Sequence, residues 1–164
     1  MRKRSAMYPR VQVDAAGSGV VSQAGGVALV ETVRAAGLDR ALSGALVPWR
    51  RPLAVHDPAK VLLDLALTLA LGGDCLADVG VLRAEPGVYG RVASDPTVSR
   101  TIDALAVHAD RVLAAIDTAR AQARGRVWAL AGGDAPDAAR SADRPLVVDV
   151  DATLVDAHSE SDRP

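Results

Sequence analysis

Two aspartates and a threonine stand close together near the end of the chain, in the run Asp149-Val150-Asp151-Ala152-Thr153. The residues just before them, Pro145-Leu146-Val147-Val148, are apolar and partly β-branched, which is typical of a β-strand. Alternate residues of a strand share a face, so both carboxylates are predicted to point the same way. Carboxylates among apolar neighbours are costly unless they are solvated, paired or bound to a metal, and Mg²⁺ takes oxygen ligands of this kind. The pattern therefore predicts a metal-binding carboxylate site at Asp149 and Asp151, with a solvated strand end as the alternative.

The same run resembles the strand-Asp-x-Asp-x-Thr signature of the haloacid dehalogenase superfamily. That resemblance implies a phosphatase in which Asp149 is the nucleophile, Asp151 is the acid/base and Mg²⁺ is the cofactor. In that superfamily the motif opens its domain, and a Lys and further acidic residues follow far downstream. The chain has 164 residues, and no Lys follows Asp151. A dehalogenase-type phosphatase is therefore an alternative that leaves most of the chain unexplained.

The region before the strand has the apolar spacing of a helical domain, with helices expected over 27–36, 38–46, 58–71, 75–84, 95–108 and 110–130. Two helix starts are clear, at Asp57-Pro58 and Asp95-Pro96. Asp suits the N-cap, and Pro suits the first helical position. The helix that starts at Pro58 is apolar nearly all round, which predicts that it is the buried centre of the domain.

Apolar positions predict which side chains the remaining helices bury. The helix over 95–108 is expected to turn Val98, Ile102 and Leu105 inward. Cys75 is expected to be a small buried apolar group. The inward face of the long helix is predicted to carry Val112, Leu113, Ile116, Ala119, Ala123 and Val127.

The predicted elements divide the chain into four parts. Residues 1–26 are expected to form a flexible or irregular arm, and residues 27–131 a helical region. Residues 132–144 are mostly Gly, Ala, Asp and Pro, which is typical of a linker. Residues 145–164 hold one predicted strand, and a sheet needs several. The fold class is therefore mainly α, and the sequence is expected to be cut off where an α/β domain begins.

Several segments, taken in order between Leu38 and Glu160, resemble bacterial DDE insertion-sequence transposases. Four of them resemble the N-terminal region of those proteins: Val55-His56-Asp57-Pro58, Ala70-Leu71-Gly72-Gly73-Asp74-Cys75-Leu76-Ala77-Asp78, Val81-Leu82-Arg83-Ala84-Glu85-Pro86 and Ser94-Asp95-Pro96-Thr97-Val98-Ser99-Arg100. The run Asp149-Val150-Asp151-Ala152-Thr153-Leu154-Val155-Asp156-Ala157-His158-Ser159-Glu160 resembles the first strand of their RNase H-like catalytic domain.

This resemblance implies phosphoryl transfer on DNA, with three carboxylates holding two Mg²⁺ or Mn²⁺ ions. It implies that Asp151 is the first catalytic aspartate and a metal ligand, with Asp149 as a neighbouring ligand. The second Asp and the Glu of the triad are expected beyond residue 164. The expected function is DNA transposition, by a truncated N-terminal part that binds transposon terminal inverted repeats and is inactive alone. A homodimer is a further expectation.

The segment that opens at Ser94 is the predicted DNA-reading helix. Thr97, Ser99, Arg100 and Asp103 lie off its apolar stripe, and the first turn of a helix favours phosphate contacts. Arg50 and Arg51 stand beside Trp49, where they could clamp nucleic acid. The alternative for the segment from Ser94 is an ordinary capped helix with a polar outer face, and the alternative for Arg50 and Arg51 is a solvated turn. For the whole protein, the alternative is a small helical DNA-binding protein without catalysis.

Composition and charge set limits on these interpretations. The net charge is −1 and the hydrophobic fraction is 49%, which predicts a folded protein whose DNA contacts depend on local patches. Lys3 and Lys60 are the only lysines among 19 basic residues, so most of the positive charge is on arginine. A single cysteine excludes an internal disulfide. No segment has the length of a signal peptide or a membrane span, so a cytoplasmic, nucleoid-associated protein with no membrane partner is expected.

Overall fold

The computed structural model describes residues 6–12 and 24–150, and within these residues the fold is an assembly of seven α-helices. The mainly helical fold class is thereby confirmed. None of these helices combines the length and the apolar character that crossing a membrane requires. The helices are α1 (Ala24–Ala36), α2 (Leu38–Ala45), α3 (Pro58–Ala70), α4 (Val79–Ala84), α5 (Pro86–Tyr89), α6 (Asp95–Ala106) and α7 (Ala109–Ala131). Short 3-10 turns cover Val47–Trp49, Leu76–Asp78 and Gly132–Asp134.

Helix α3 is the centre of the assembly, as its sequence predicts. It begins where Asp57 caps it, since the Asp57 carboxylate accepts a hydrogen bond of 3.0 Å from the backbone N–H of Ala59. Pro58 follows at the first helical position, where its missing N–H costs nothing. The helix then packs against α1, α2, α4 and α6. Its buried side chains are Pro58, Ala59, Lys60, Val61, Leu63, Asp64, Leu67 and Thr68.

A charged cluster lies inside this otherwise apolar core. Lys60 Nζ lies 2.5 Å from both carboxylate oxygens of Asp64, and both residues are buried. The Tyr8 hydroxyl donates a hydrogen bond of 3.1 Å to the same carboxylate. The Lys60 ammonium also lies 4.3 Å from the centre of the Tyr8 ring, which is a cation–π contact. The Lys60 ammonium, the Asp64 carboxylate and the Tyr8 hydroxyl thus each have a polar partner within the cluster, as buried charges require.

Arg34 of α1 binds the backbone at Tyr8 and Pro9. Its guanidinium donates to the backbone carbonyls of Tyr8 at 3.0 Å and Pro9 at 2.7 Å, and it pairs with Glu31. Residues 6–12 form neither helix nor strand, yet Tyr8 is only 3% exposed. Side-chain contacts, and not a backbone ladder, therefore fix this segment on the helices.

Three packing predictions are wrong. Cys75 is exposed, because it is the cap residue of the 3-10 turn that precedes α4 and lies outside the core. Leu113 and Val127 are 58% and 45% exposed. The reason is that α2, the main neighbour of the long α7 helix, covers only part of the apolar face of α7. The helix expected over 75–84 is divided into the 3-10 turn and α4, which ends at Ala84 as expected, and Pro86 then begins the short α5.

The strand predicted at the end of the chain is not confirmed. Residues 145–150 are neither helix nor strand, and Leu146, Val147, Val148 and Val150 are exposed. A strand requires a neighbour to complete its backbone hydrogen bonds. Within the described residues no strand lies beside this segment. Asp149 is exposed on it, and Asp151 lies outside the described residues.

Tyr8 predicts an alkaline loss of stability. Burial first, and then the Asp64 charge, raise the pKa of its hydroxyl above the ordinary value, so the folded protein keeps the proton when the unfolded chain releases it. This contribution is complete below the unfolded pKa of about 10 and falls by about 1.4 kcal/mol per pH unit above it. Urea unfolding of the wild type and of Tyr8→Phe between pH 8 and 11 measures it. The stability advantage of the wild type should shrink above pH 10, and an advantage that is constant with pH would contradict the buried placement of Tyr8.

Candidate nucleic-acid interface

A cleft of about 400 Å³ opens between the loop that follows α2 and one side of α6. Its polar lining is Arg51, His56, Thr97, Arg100 and Thr101. Its apolar walls are Trp49, Ala54, Val55, Pro58, Ala104 and Leu105. The cleft therefore brings together Arg51, Thr97 and Arg100, three of the residues that the sequence singles out, from segments about 50 residues apart.

Helix α6 forms one wall because its residues repeat at helical spacing. Arg100 and Thr101 follow Thr97 by three and four positions, and Ala104 follows them by four and three, so the four residues share one side of the helix. The buried Val98 and Leu105 fix that orientation by packing in the core.

The structure separates two of the predicted contact residues from this side. Ser99 and Asp103 are exposed, and they are one turn apart on another side of α6. Neither is part of the cleft lining.

Hydrogen bonds hold the first turn of α6 in place. Arg83 of α4 donates to Asp95 Oδ1 at 2.5 Å and to the carbonyl of Ala93 at 3.0 Å. The hydroxyl groups of Ser94 and Thr97 lie 3.0 Å apart, in hydrogen-bond contact. Arg100 then donates to the Thr97 hydroxyl at 3.1 Å. The Arg100 guanidinium is thus tethered beside Thr97 while most of its donors are open to solvent.

The opposite wall is the loop between α2 and α3, and Asp57 organises it. The Asp57 carboxylate accepts from the Ser43 hydroxyl at 2.6 Å and from Arg50 at 3.1 Å, in addition to capping α3. Arg50 is therefore occupied by an internal ion pair. Arg51 is exposed, lines the cleft, and forms no ion pair within the described residues. The two arginines thus have different roles although they are adjacent in sequence.

The electrostatic environment of the cleft is positive. Burial lowers the pKa of His56 below its ordinary value, and the charges of Arg91 and Lys60 lower it further. Arg111 of α7 lies 5.9 Å from the ring centre of Trp49, so a further guanidinium stands at the Trp49 side. An anion placed in the cleft would relieve this repulsion among like charges.

The described residues do not assemble a site for a divalent metal. The one group of potential ligands among them is Asp74, Cys75 and Asp78. Asp78 already accepts from the backbone N–H groups of Asp74 at 2.9 Å and Cys75 at 3.0 Å, and these bonds lower the pKa of its carboxyl. A thiol is also a poor partner for Mg²⁺, which prefers oxygen. This cluster is a helix cap, and among the described residues no group of three or more potential ligands includes Asp149.

The family model for the transposase DDE domain, group 1, matches residues 3–163. The match covers nearly the whole chain, so the protein belongs to this transposase family. No curated protein and no solved structure matches the chain. The resemblance that the sequence motifs carry is thereby confirmed.

Sequence reasoning did not place three residues of the interface. No sequence pattern places Arg111 at the cleft, because its contact with Trp49 joins residues far apart in sequence. His56 lies in a segment that resembles the family, but its sequence position does not show that it lines a cleft. Thr101 follows Thr97 by four positions, which is the spacing that could have identified the cleft side of α6 in advance.

His56 reports the charge of the cleft, which gives a second prediction. The substitution Arg91→Ala removes a positive charge that lowers the pKa of His56, so this pKa should rise. Proton NMR of the His56 imidazole as a function of pH measures the pKa. Arg124→Ala is the matched control. Arg124 is exposed and lies about 20 Å along α7 from Arg111, the residue of α7 that contacts Trp49 of the cleft. An unchanged pKa in Arg91→Ala, or an equal rise in the control, would contradict a local effect of the Arg91 charge on His56.

Proposed function

We propose that this protein takes part in DNA transposition and binds duplex DNA through the cleft between the 49–58 loop and α6. One observation carries the proposal. Arg51 and Arg100, from two separate segments, line one cleft together with the Thr97 and Thr101 hydroxyl groups, and neither arginine has an ion-pair partner within the described residues. The family to which the chain belongs supplies the biological context.

The phosphate backbone is the part of DNA that such a cleft would engage. A guanidinium presents several N–H donors in a planar fork that matches phosphate oxygens, and each such contact releases condensed counterions. The Thr97 and Thr101 hydroxyl groups add neutral donors of the kind that set register on the backbone. Since the net charge of the chain is −1, attraction must come from this local group of charges.

The exposed side of α6 would face an adjacent part of the duplex. Asp103 repels phosphate, so we assign it to a base edge, where a carboxylate can accept from the amino group of cytosine. Ser99 is one turn before it and can donate or accept. Arg50 is left with a supporting role, because its guanidinium is already held by Asp57.

The remaining assignments are proposals that follow from the family. Asp151 is proposed as the first catalytic aspartate and a ligand for Mg²⁺ or Mn²⁺, with Asp149 beside it. We propose residues 27–131 as the DNA-binding and dimerising region, 132–144 as a linker and 145–164 as the start of the RNase H-like part. The DNA partners proposed are transposon terminal inverted repeats, which a homodimer of the protein would hold in pairs.

Salt dependence of binding tests the cleft. The affinity of the full chain for a 30-base-pair duplex is measured by fluorescence anisotropy from 50 to 300 mM salt. Each phosphate contact contributes about 0.9 to the slope of log affinity against log salt, so Arg51→Ala with Arg100→Ala should lower the slope by about two. Each single substitution should lower it by about one and weaken binding to all sequences alike.

The control is again Arg124→Ala, which removes the same charge from an exposed arginine outside the cleft. It should leave both slope and affinity close to those of the wild type. If the control changes the slope and the cleft variants do not, the DNA lies along α7 and the proposed interface is wrong. Circular dichroism of each variant establishes that the helices are intact.

A further inference from the structure

Leu53 occupies an unusual place at the edge of the cleft. The backbone N–H of Ala54 donates to the carbonyl of Arg51 at 3.1 Å, which closes a β-turn with Pro52 and Leu53 as its central residues. The backbone of Leu53 is left-handed, with φ 61°. Its side chain is 96% exposed, the largest exposed fraction among the large hydrophobic residues of the described chain.

Leu53 therefore destabilises the protein in two independent ways, through its backbone conformation and through its exposed apolar side chain. Proline followed by a residue of positive φ is the arrangement of a type II turn, where Gly or Asn is preferred at the second position because other side chains clash with the backbone. A leucine here is strained, and its side chain gains nothing from packing within the protein. Gly or Asn would form the same turn without strain and without an apolar group in water. The leucine is thus not explained by the fold.

The surroundings of Leu53 indicate what its side chain meets. Arg51, two residues before it, lines the cleft, and Val55, two residues after it, is 68% exposed and lines the cleft as well. The turn therefore presents an apolar tip beside a guanidinium. A protein partner is a poor match, since a stable interface needs about 800 Å² from each side and one turn offers far less. Proteins that bend DNA do insert single apolar side chains between base pairs from the minor groove, with basic residues on the flanking phosphates.

We propose that Leu53 is an apolar wedge that enters the minor groove of duplex DNA, partly unstacks one base step and bends the duplex. Arg51 and Arg100 hold phosphates beside the opened step. Leu53 is 96% exposed, so its side chain is free to enter a groove of the duplex. This inference rests on the proposed DNA binding through the cleft, and it names how the same site acts on its partner.

The experiment uses the full chain and a 30-base-pair duplex that carries a fluorophore pair at its ends and a flexible TA step at its centre. Anisotropy gives affinity, and energy transfer between the ends gives bending. Leu53→Asn keeps a residue that tolerates the left-handed turn but removes the apolar group. It should weaken binding by about tenfold, the loss expected when one buried leucine side chain is removed, and the bend should be lost. The salt slope should stay at the wild-type value, because no phosphate contact is removed.

Two further variants separate the wedge from folding. Leu53→Gly relieves the strain, so its melting temperature should equal or exceed that of the wild type while the bend is lost. Leu69→Asn changes another exposed leucine, which lies about 16 Å along α3 from Pro58, and should leave bending unchanged.

The outcomes separate the two proposals. If Leu53→Asn binds and bends DNA as the wild type does, while Arg51→Ala still lowers the salt slope, the wedge is overturned and the cleft remains. If the wild type does not bind duplex DNA, the proposed function fails and the wedge fails with it. A loss of bending equal in Leu53→Asn and Leu69→Asn also overturns the wedge, since it would reflect general loss of apolar surface.

Discussion

The buried contact between Lys60 and Asp64 is the constraint on which the rest of the structure depends. An ion pair in a core is acceptable only while both partners are present, because one charge left alone costs several kcal/mol, roughly 3 to 5. Tyr8 completes this pair from a segment that has no regular structure, and Arg34 fastens that segment from outside. The same helix that carries the pair also begins at the cleft, since Pro58 lines it. Core and interface therefore share one rigid element, and the Lys60 charge reaches both Asp64 and His56.

Asp57 fixes the loop wall of the cleft to both α2 and α3. One carboxylate caps α3, accepts from Ser43 of α2 and pairs with Arg50, so it sets where the loop leaves α2 and where α3 starts. The loop between these two helices covers residues 46–57, and its turn at Pro52 and Leu53 lies between the anchored ends. A contact surface built on a loop gains precision when both ends of the loop are anchored in this way.

The parts of the fold that local chemistry determines could be predicted, and the parts that long-range contacts determine could not. Asp57-Pro58 marks the start of α3, because capping and proline geometry act within a few residues. Asp95-Pro96 lies in the first turn of α6, but the N-cap of that helix is Ser94 and not Asp95. Tyr8 follows no periodicity, and its burial depends on Asp64, 56 residues away. Arg51 and Arg100 were singled out by type, but nothing local indicates that they meet in one cleft. Cys75 and Leu113 were placed wrongly because spacing predicts an apolar face and not whether another helix covers it.

The distribution of charge resolves how a chain of net charge −1 can present a surface suited to DNA. Two acidic groups beside the cleft are committed to internal bonds: Asp57 to Arg50 and the α3 cap, and Asp95 to Arg83. A carboxylate that is paired projects little field beyond its partner, whereas an unpaired guanidinium projects all of its charge. Since fields are screened within about 8 Å at physiological salt, the phosphate backbone senses the nearest groups and not the total. Burial is the first cause of the lowered pKa of His56, and the charges of Arg91 and Lys60 lower it further, which is consistent with a local excess of positive charge.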